Sequence, residues 1–185
     1  GLITIPGMTV INPADDVEAR QAVFAAAEHD GPVYLRFGRL ALPVVMDGSY
    51  RFQIGKGVQM TEGRDVTIIA TGLLVNQALI AAEQLKNEGI SARVINMATI
   101  KPLDEALVLQ AAKECGKIVT AEEHNIIGGL GEAVCACVAE QCPVPVKRIG
   151  VQDTFGHSGP AVDLLKQFGL SADNIAAVTK TFVGK

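Results

Sequence analysis

Val66-Thr67-Ile68-Ile69-Ala70-Thr71-Gly72 is an unbroken β-prone run closed by glycine, and a helical apolar stripe follows it from Leu74 to Asn87. A strand that is apolar throughout, without alternation, is buried on both faces, as in a parallel sheet between two helix layers. Downstream the same alternation continues. Ala78, Ala81, Ala82 and Leu85 share one side of the helix, and Gly89 stops it. Arg93–Met97 reads as a second strand, Lys101-Pro102-Leu103-Asp104 as a turn, and Asp104 as the N-cap of a helix running through Lys113. Lys117–Thr120 is a third strand, and Gly128-Gly129-Leu130-Gly131 leads into a cysteine-bearing helix. Val144–Ile149 is a fourth strand whose internal Pro145 assigns it to a sheet edge. Short helices near Ala161–Phe168 and Ala172–Phe182 complete the pattern. Repeated βα units imply right-handed crossovers and a three-layer αβα, mostly parallel sheet.

Upstream, Met8–Ile11 is a strand ending at Asn12-Pro13. Asp15 then caps a helix whose first turn carries Asp16 and Glu18, favourable to the helix dipole. Pro32–Phe37 is the next strand. This strand–helix–strand unit is too small to bury a core of its own and is expected to finish a neighbouring domain. Between Leu40 and Thr61 the periodicity fades into turn residues, which sets the expected boundary at Asp47: residues 1–46 as the tail of one α/β domain plus linker, 47–185 as a complete second domain.

The composition excludes several classes. Of 185 residues 49 % are apolar but only 4 % aromatic, with no Trp, so the core is built from Ala, Val, Ile and Leu. The net charge of −4 argues against a nucleic-acid or anionic-membrane partner. No apolar run has the length of a membrane span and no charged-then-apolar leader opens the chain, so the expectation is a cytoplasmic protein. The start at Gly1, without Met, reads as a fragment or a processed product. Cys115, Cys135, Cys137 and Cys142 lack the second pair or nearby His that a zinc site needs. On a helix Cys135 and Cys137 point about 200° apart. They read as small buried thiols.

Three features carry candidate chemistry. Gly128, Gly129 and Gly131 sit between a strand and a helix, where backbone N–H groups and the helix dipole offer an anion site. The dinucleotide fingerprint fails, because Val134 stands where Gly or Ala is needed and no acidic residue follows about 20 positions on. A close helix–strand approach needs the same small residues. Glu122 and His124, with Glu123 between them, follow the third strand at the sheet's carboxyl edge, fit for proton relay, for helping a metal site, or for fixing a loop or interface. Arg39 directly follows the Pro32–Phe37 strand, placed to clamp a phosphate or carboxylate or to form an ordinary surface or interdomain ion pair. No Gly-x-Ser-x-Gly elbow and no phosphate loop of the Gly-x-x-x-x-Gly-Lys type appears.

The segment Ile5-Pro6-Gly7-Met8-Thr9-Val10-Ile11-Asn12-Pro13-Ala14-Asp15 resembles the pyrimidine-binding domain of transketolases, deoxyxylulose-phosphate synthases and 2-oxoacid dehydrogenase E1 β chains. Gly31–Arg36 resembles the strand before their linker. Val66–Gly72, Thr99–Asp104, Thr120–His124 and Gly128–Val134 are similar to the superfamily's C-terminal domain. Arg148–Gly159 and Leu164–Leu170 resemble the end of a transketolase, particularly a separately encoded C-terminal subunit. The resemblance implies ketol transfer between sugar phosphates in the complete enzyme. It further implies thiamine diphosphate and Mg²⁺ held by other parts, a homodimer, and an N-terminal partner segment or subunit. No catalytic residue or metal ligand is then expected in this chain, and its C-terminal domain is expected to act as scaffold. Arg39 matches the family's substrate-phosphate arginine, here within Phe37-Gly38-Arg39-Leu40 in place of a Ser-Arg-Gln version. The alternatives are a synthase or dehydrogenase β chain, and a non-catalytic anion-binding or interaction module built on the Gly128–Gly131 loop.

Overall fold

The computed structural model describes residues 1–184. In chain order they form β1 (Thr9–Ile11), α1 (Asp16–Glu28), β2 (Val33–Leu35), β3 (Val58–Thr61), β4 (Val66–Ala70), α2 (Leu74–Asn87) and β5 (Ala92–Asn96). There follow β6 (Thr99–Lys101), α3 (Glu105–Cys115), β7 (Ile118–Asn125), α4 (Leu130–Gln141), β8 (Val146–Val151), α5 (Ala161–Gln167) and α6 (Ala172–Val183). A five-stranded sheet has the order β3-β5-β4-β7-β8. Its β5, β4, β7 and β8 are mutually parallel, and β3 is antiparallel to β5.

The anticipated central run is β4, buried at every position. Its period of two divides the core. Val66, Ile68 and Ala70 pack with Leu74, Ala78, Ala81 and Leu85 of α2 and Ile175 of α6. Ile69 faces the other way, towards Val108 and Ala111 of α3 and Leu130, Val134 and Cys137 of α4. Helices thus cover both faces of a mostly parallel sheet, the three-layer architecture expected from the sequence. The helix signals hold: Asp15 accepts the Glu18 N–H at 2.9 Å, Asp104 caps α3, and Gly116 ends it in the left-handed region at φ 67°. As expected, β8 is an edge strand, starting just after Pro145.

Local reading failed at three places. Thr99–Lys101, expected partly as turn, forms β6, which pairs antiparallel with β1. Val58–Thr61, expected as linker, forms β3 on the sheet edge. The expected strand over Pro32–Phe37 shortens to Val33–Leu35. Strands of three or four residues have too little local pattern to announce themselves; their partners make them. Through β6 the sheet order becomes β2-β1-β6, which knits the leading segment to the main domain. The seam lies at Asn12. Its carbonyl accepts from the Gly72 N–H and the Thr71 hydroxyl, both at 3.2 Å, and its N–H donates to the Ala98 carbonyl at 2.8 Å. Gly72 has φ 58°, and a Cβ there would sit 2.5 Å from Asn12 Nδ2, so glycine is required on both counts.

Candidate functional site

The seam brings the carboxyl ends of β1 and β2 against those of β4 and β7. A cavity of about 510 Å³ opens beside it. Arg36, Arg39, Glu123 and His157 supply its polar lining, and Leu42, Leu73, Leu164, Leu165 and Phe168 its apolar wall. Arg36 is ion-paired with Glu123 at 3.7 Å. Arg39 is exposed, and among the described residues it has no hydrogen bond or ion pair. An unmatched guanidinium at the carboxyl edge of an α/β sheet is suited to an anionic ligand.

The remaining expected site residues gather elsewhere. Glu122, His124, Gly128 and Gly129 line a second cavity of about 240 Å³ together with Asn12, Tyr34 and Arg36. Gly131 stands in the first turn of α4, packed against Arg148 and Thr120. Arg39 is not part of this second group.

The glycine loop already holds an anion, and that anion is internal. The Glu122 side chain is buried, and its two carboxylate oxygens accept the Leu130 and Gly131 N–H groups, both at 2.8 Å. These are amides that a helix N-terminus presents to a ligand. Burial raises the Glu122 pKa, while the Gly131 and Leu130 amides and nearby His124 and Arg148 pull it back. A Cβ on Gly129 would lie 2.8 Å from Glu122 Cδ and nearer still to Oε2, so glycine is what admits the carboxylate. His124 is half exposed; its Nδ1 lies 2.6 Å from the Asn125 carbonyl and 3.9 Å from Glu122.

Sequence reasoning passed over two groups. Nothing in the sequence around His157 announces a role, yet its Nδ1 lies 3.2 Å from the Gln167 amide nitrogen and its ring meets Phe168 edge-on at 5.5 Å. Glu18 was read only as dipole charge. It is instead fully buried, accepting from the Ala14 N–H and Asn96 Nδ2, each at 2.7 Å, and from the Tyr50 hydroxyl. Its neighbour Asp15 accepts the Val45 and Met46 N–H groups at 2.7 Å, tying the linker to α1. The capping pattern revealed Asp15, but nothing local reveals contacts made from the far side of the linker.

Among the described residues no three His, Cys, Asp or Glu side chains are grouped to hold a metal ion. The cysteines are free, and desolvation raises the thiols of Cys135 and Cys137, away from the reactive thiolate. Among the described residues no helix is long and apolar enough to cross a membrane.

A mostly parallel sheet in three layers, with polar residues at the strands' carboxyl edge, defines an αβα domain. Which one is given by its relatives. The family described as Transketolase, C-terminal domain, matches residues 55–175, and the chain belongs to that family. It is 47 % identical over 171 residues to the 6-deoxy-6-sulfo-D-fructose transketolase subunit SqwH of Clostridium sp. (strain MSTE9), covering 92 % of this chain and 53 % of that protein. It is 43 % identical to 1-deoxy-D-xylulose-5-phosphate synthase 1 of Geobacter sulfurreducens, covering 97 % of this chain and 29 % of that protein. A solved structure described as a split gene transketolase, inactive beta4 tetramer, superposes with a TM-score of 0.92 at 43 % identity, over 97 % of this chain and 58 % of that one. The chain spans about half the length of the first curated relatives it matches.

Proposed function

We propose that this chain is the C-terminal part of a transketolase that transfers a two-carbon ketol unit between sugar phosphates. Residues 1–46 complete a pyrimidine-binding domain and 47–185 form the C-terminal domain. The N-terminal part, as segment or separate subunit, carries thiamine diphosphate and Mg²⁺, and the assembly is a cytoplasmic homodimer. The diphosphate cofactor supplies the carbanion chemistry when bound. This chain binds the substrate's phosphate end through Arg39.

The observation that carries the reading is the Arg39 guanidinium, partnerless among the described residues at the mouth of the large cavity. Two facts add support. Strand β2 pairs only with β1, leaving a ladder edge open, and Val23 and Phe24 of α1 and Tyr34 of β2 are exposed apolar side chains, as at the cut face of a larger domain. The SqwH relative is named a transketolase subunit, and the similar solved structure is described as a split gene transketolase.

The test combines the chain with an N-terminal half, thiamine diphosphate and Mg²⁺, and assays a ketose phosphate donor against pyruvate. Ketol transfer from the ketose phosphate is expected, with a sharply raised KM for phosphorylated acceptors in R39A. Turnover of pyruvate instead would favour the synthase reading, to which the Geobacter relative lends weight. Activity or cofactor binding by this chain alone would overturn the division of labour. The anion-module reading loses ground because Glu122 occupies the amides it needs.

A further inference from the structure

We propose that His157 is a second recognition residue for the anionic group held by Arg39, and that it selects a tetrahedral oxyanion, a phosphate or a sulfonate, over a carboxylate. The proposal rests on the Arg39 reading and deepens it, because it gives the C-terminal domain a direct part in ligand recognition.

His157 lies between β8 and α5 and lines the same cavity as Arg39 and Arg36. Two contacts from the end of α5 set its ring: the Gln167 amide nitrogen 3.2 Å from Nδ1, and Phe168 edge-on at an interplanar angle of 89°. An amide nitrogen only donates, so in this contact Nδ1 accepts and the ring's hydrogen sits on Nε2. The cavity lining thus carries an imidazole N–H donor as well as the Arg39 fork. Glu123 matches the Arg36 charge at 3.7 Å, leaving Arg39 as the unmatched cation.

The two donors suit different oxygens. A guanidinium takes two oxygens of an anion in a planar fork. A carboxylate has only those two, whereas a phosphate or sulfonate has a third pointing out of the plane, where a separate donor is useful. His157 and Arg39 come from different elements, the segment leading to α5 and the one leaving β2, so they approach the anion independently. The apolar wall of Leu164, Leu165 and Phe168 offers the anion no competing acceptor.

The test is a titration of the whole chain, followed by NMR of the His157 ring, with inorganic phosphate, methanesulfonate and acetate as probes. Phosphate and methanesulfonate are expected to shift the Nε2 resonance saturably. H157A is expected to weaken both by roughly tenfold, the loss of one hydrogen bond to a charged group, and to leave acetate unchanged. H157Q, which keeps a donor, should recover part of the loss. Q167A, which removes the partner that holds Nδ1, should weaken phosphate and methanesulfonate binding and leave acetate unchanged, which a merely structural role for His157 would not produce. Phosphate binding that depends on Arg39 but not on His157 sinks this inference and leaves the Arg39 reading standing. Binding unaffected by R39A, or no saturable phosphate shift in the unmodified chain, sinks both. Preference for methanesulfonate over phosphate would point to a sulfonated sugar as the source of the group.

Discussion

Replacing Gly129 by alanine is expected to unseat the Glu122 carboxylate, and the cost follows from the contacts. Gly129 has φ −122°, which any residue adopts, so backbone strain contributes nothing. The added methyl would stand 2.8 Å from Glu122 Cδ, inside van der Waals contact with a buried side chain. If the carboxylate leaves, the buried Leu130 and Gly131 N–H groups lose their acceptor, at about 1–3 kcal/mol each. G129A should therefore destabilise the chain by about 2–5 kcal/mol, lowering Tm by several degrees to above ten for a domain of this size. E122A removes the same two bonds and should cost a similar amount. The double variant should then cost little more than either single one, a coupling of about 2–4 kcal/mol where independent sites add to within ~0.5 kcal/mol. Urea unfolding of the four chains measures this directly. Additive losses would refute the account of the loop as a cradle for an internal carboxylate.

Two further outcomes follow from the α1 cluster. Burial raises the Glu18 pKa above its ordinary value of about 4.5, despite hydrogen bonds from Tyr50, Ala14 and Asn96, so the folded chain holds that proton more tightly than the unfolded one. The stability this confers is present below about pH 4.5 and is lost as pH rises through the folded-state value, so the margin of wild type over E18Q should shrink from acid to neutral pH. A margin constant across that range in calorimetry would contradict it. D15A removes the cap on Glu18 and the acceptor of the Val45 and Met46 N–H groups, and should cost about 3–5 kcal/mol. Hydrogen exchange at Val45 and Met46 should speed up; unchanged protection there would show that the linker is held by something else.

The limits of local reading follow from range. The exposed Phe155 and the half-buried strand β3 look alike in a short window, since both lie in stretches rich in turn residues. Only pairing with β5 separates them. Glu122 reads from the sequence as a relay, a metal helper or a loop- or interface-fixing residue, and no local pattern announces that its carboxylate accepts the amides of residues eight and nine positions on.

What the sequence determined alone was the architecture. Continuous burial along β4, helical stripes in α2 and α3, and caps at Asp15 and Asp104 are local rules that repeat often enough to specify a parallel, helix-covered sheet. Only the tertiary structure decided the sites. Arg39 and His157 come to one cavity, Glu18 meets Tyr50 and Asn96, and β6 joins β1, each across dozens of residues. The physical reason is that periodicity encodes which face of an element is buried, whereas a site depends on which elements meet, and that is settled by packing the whole chain.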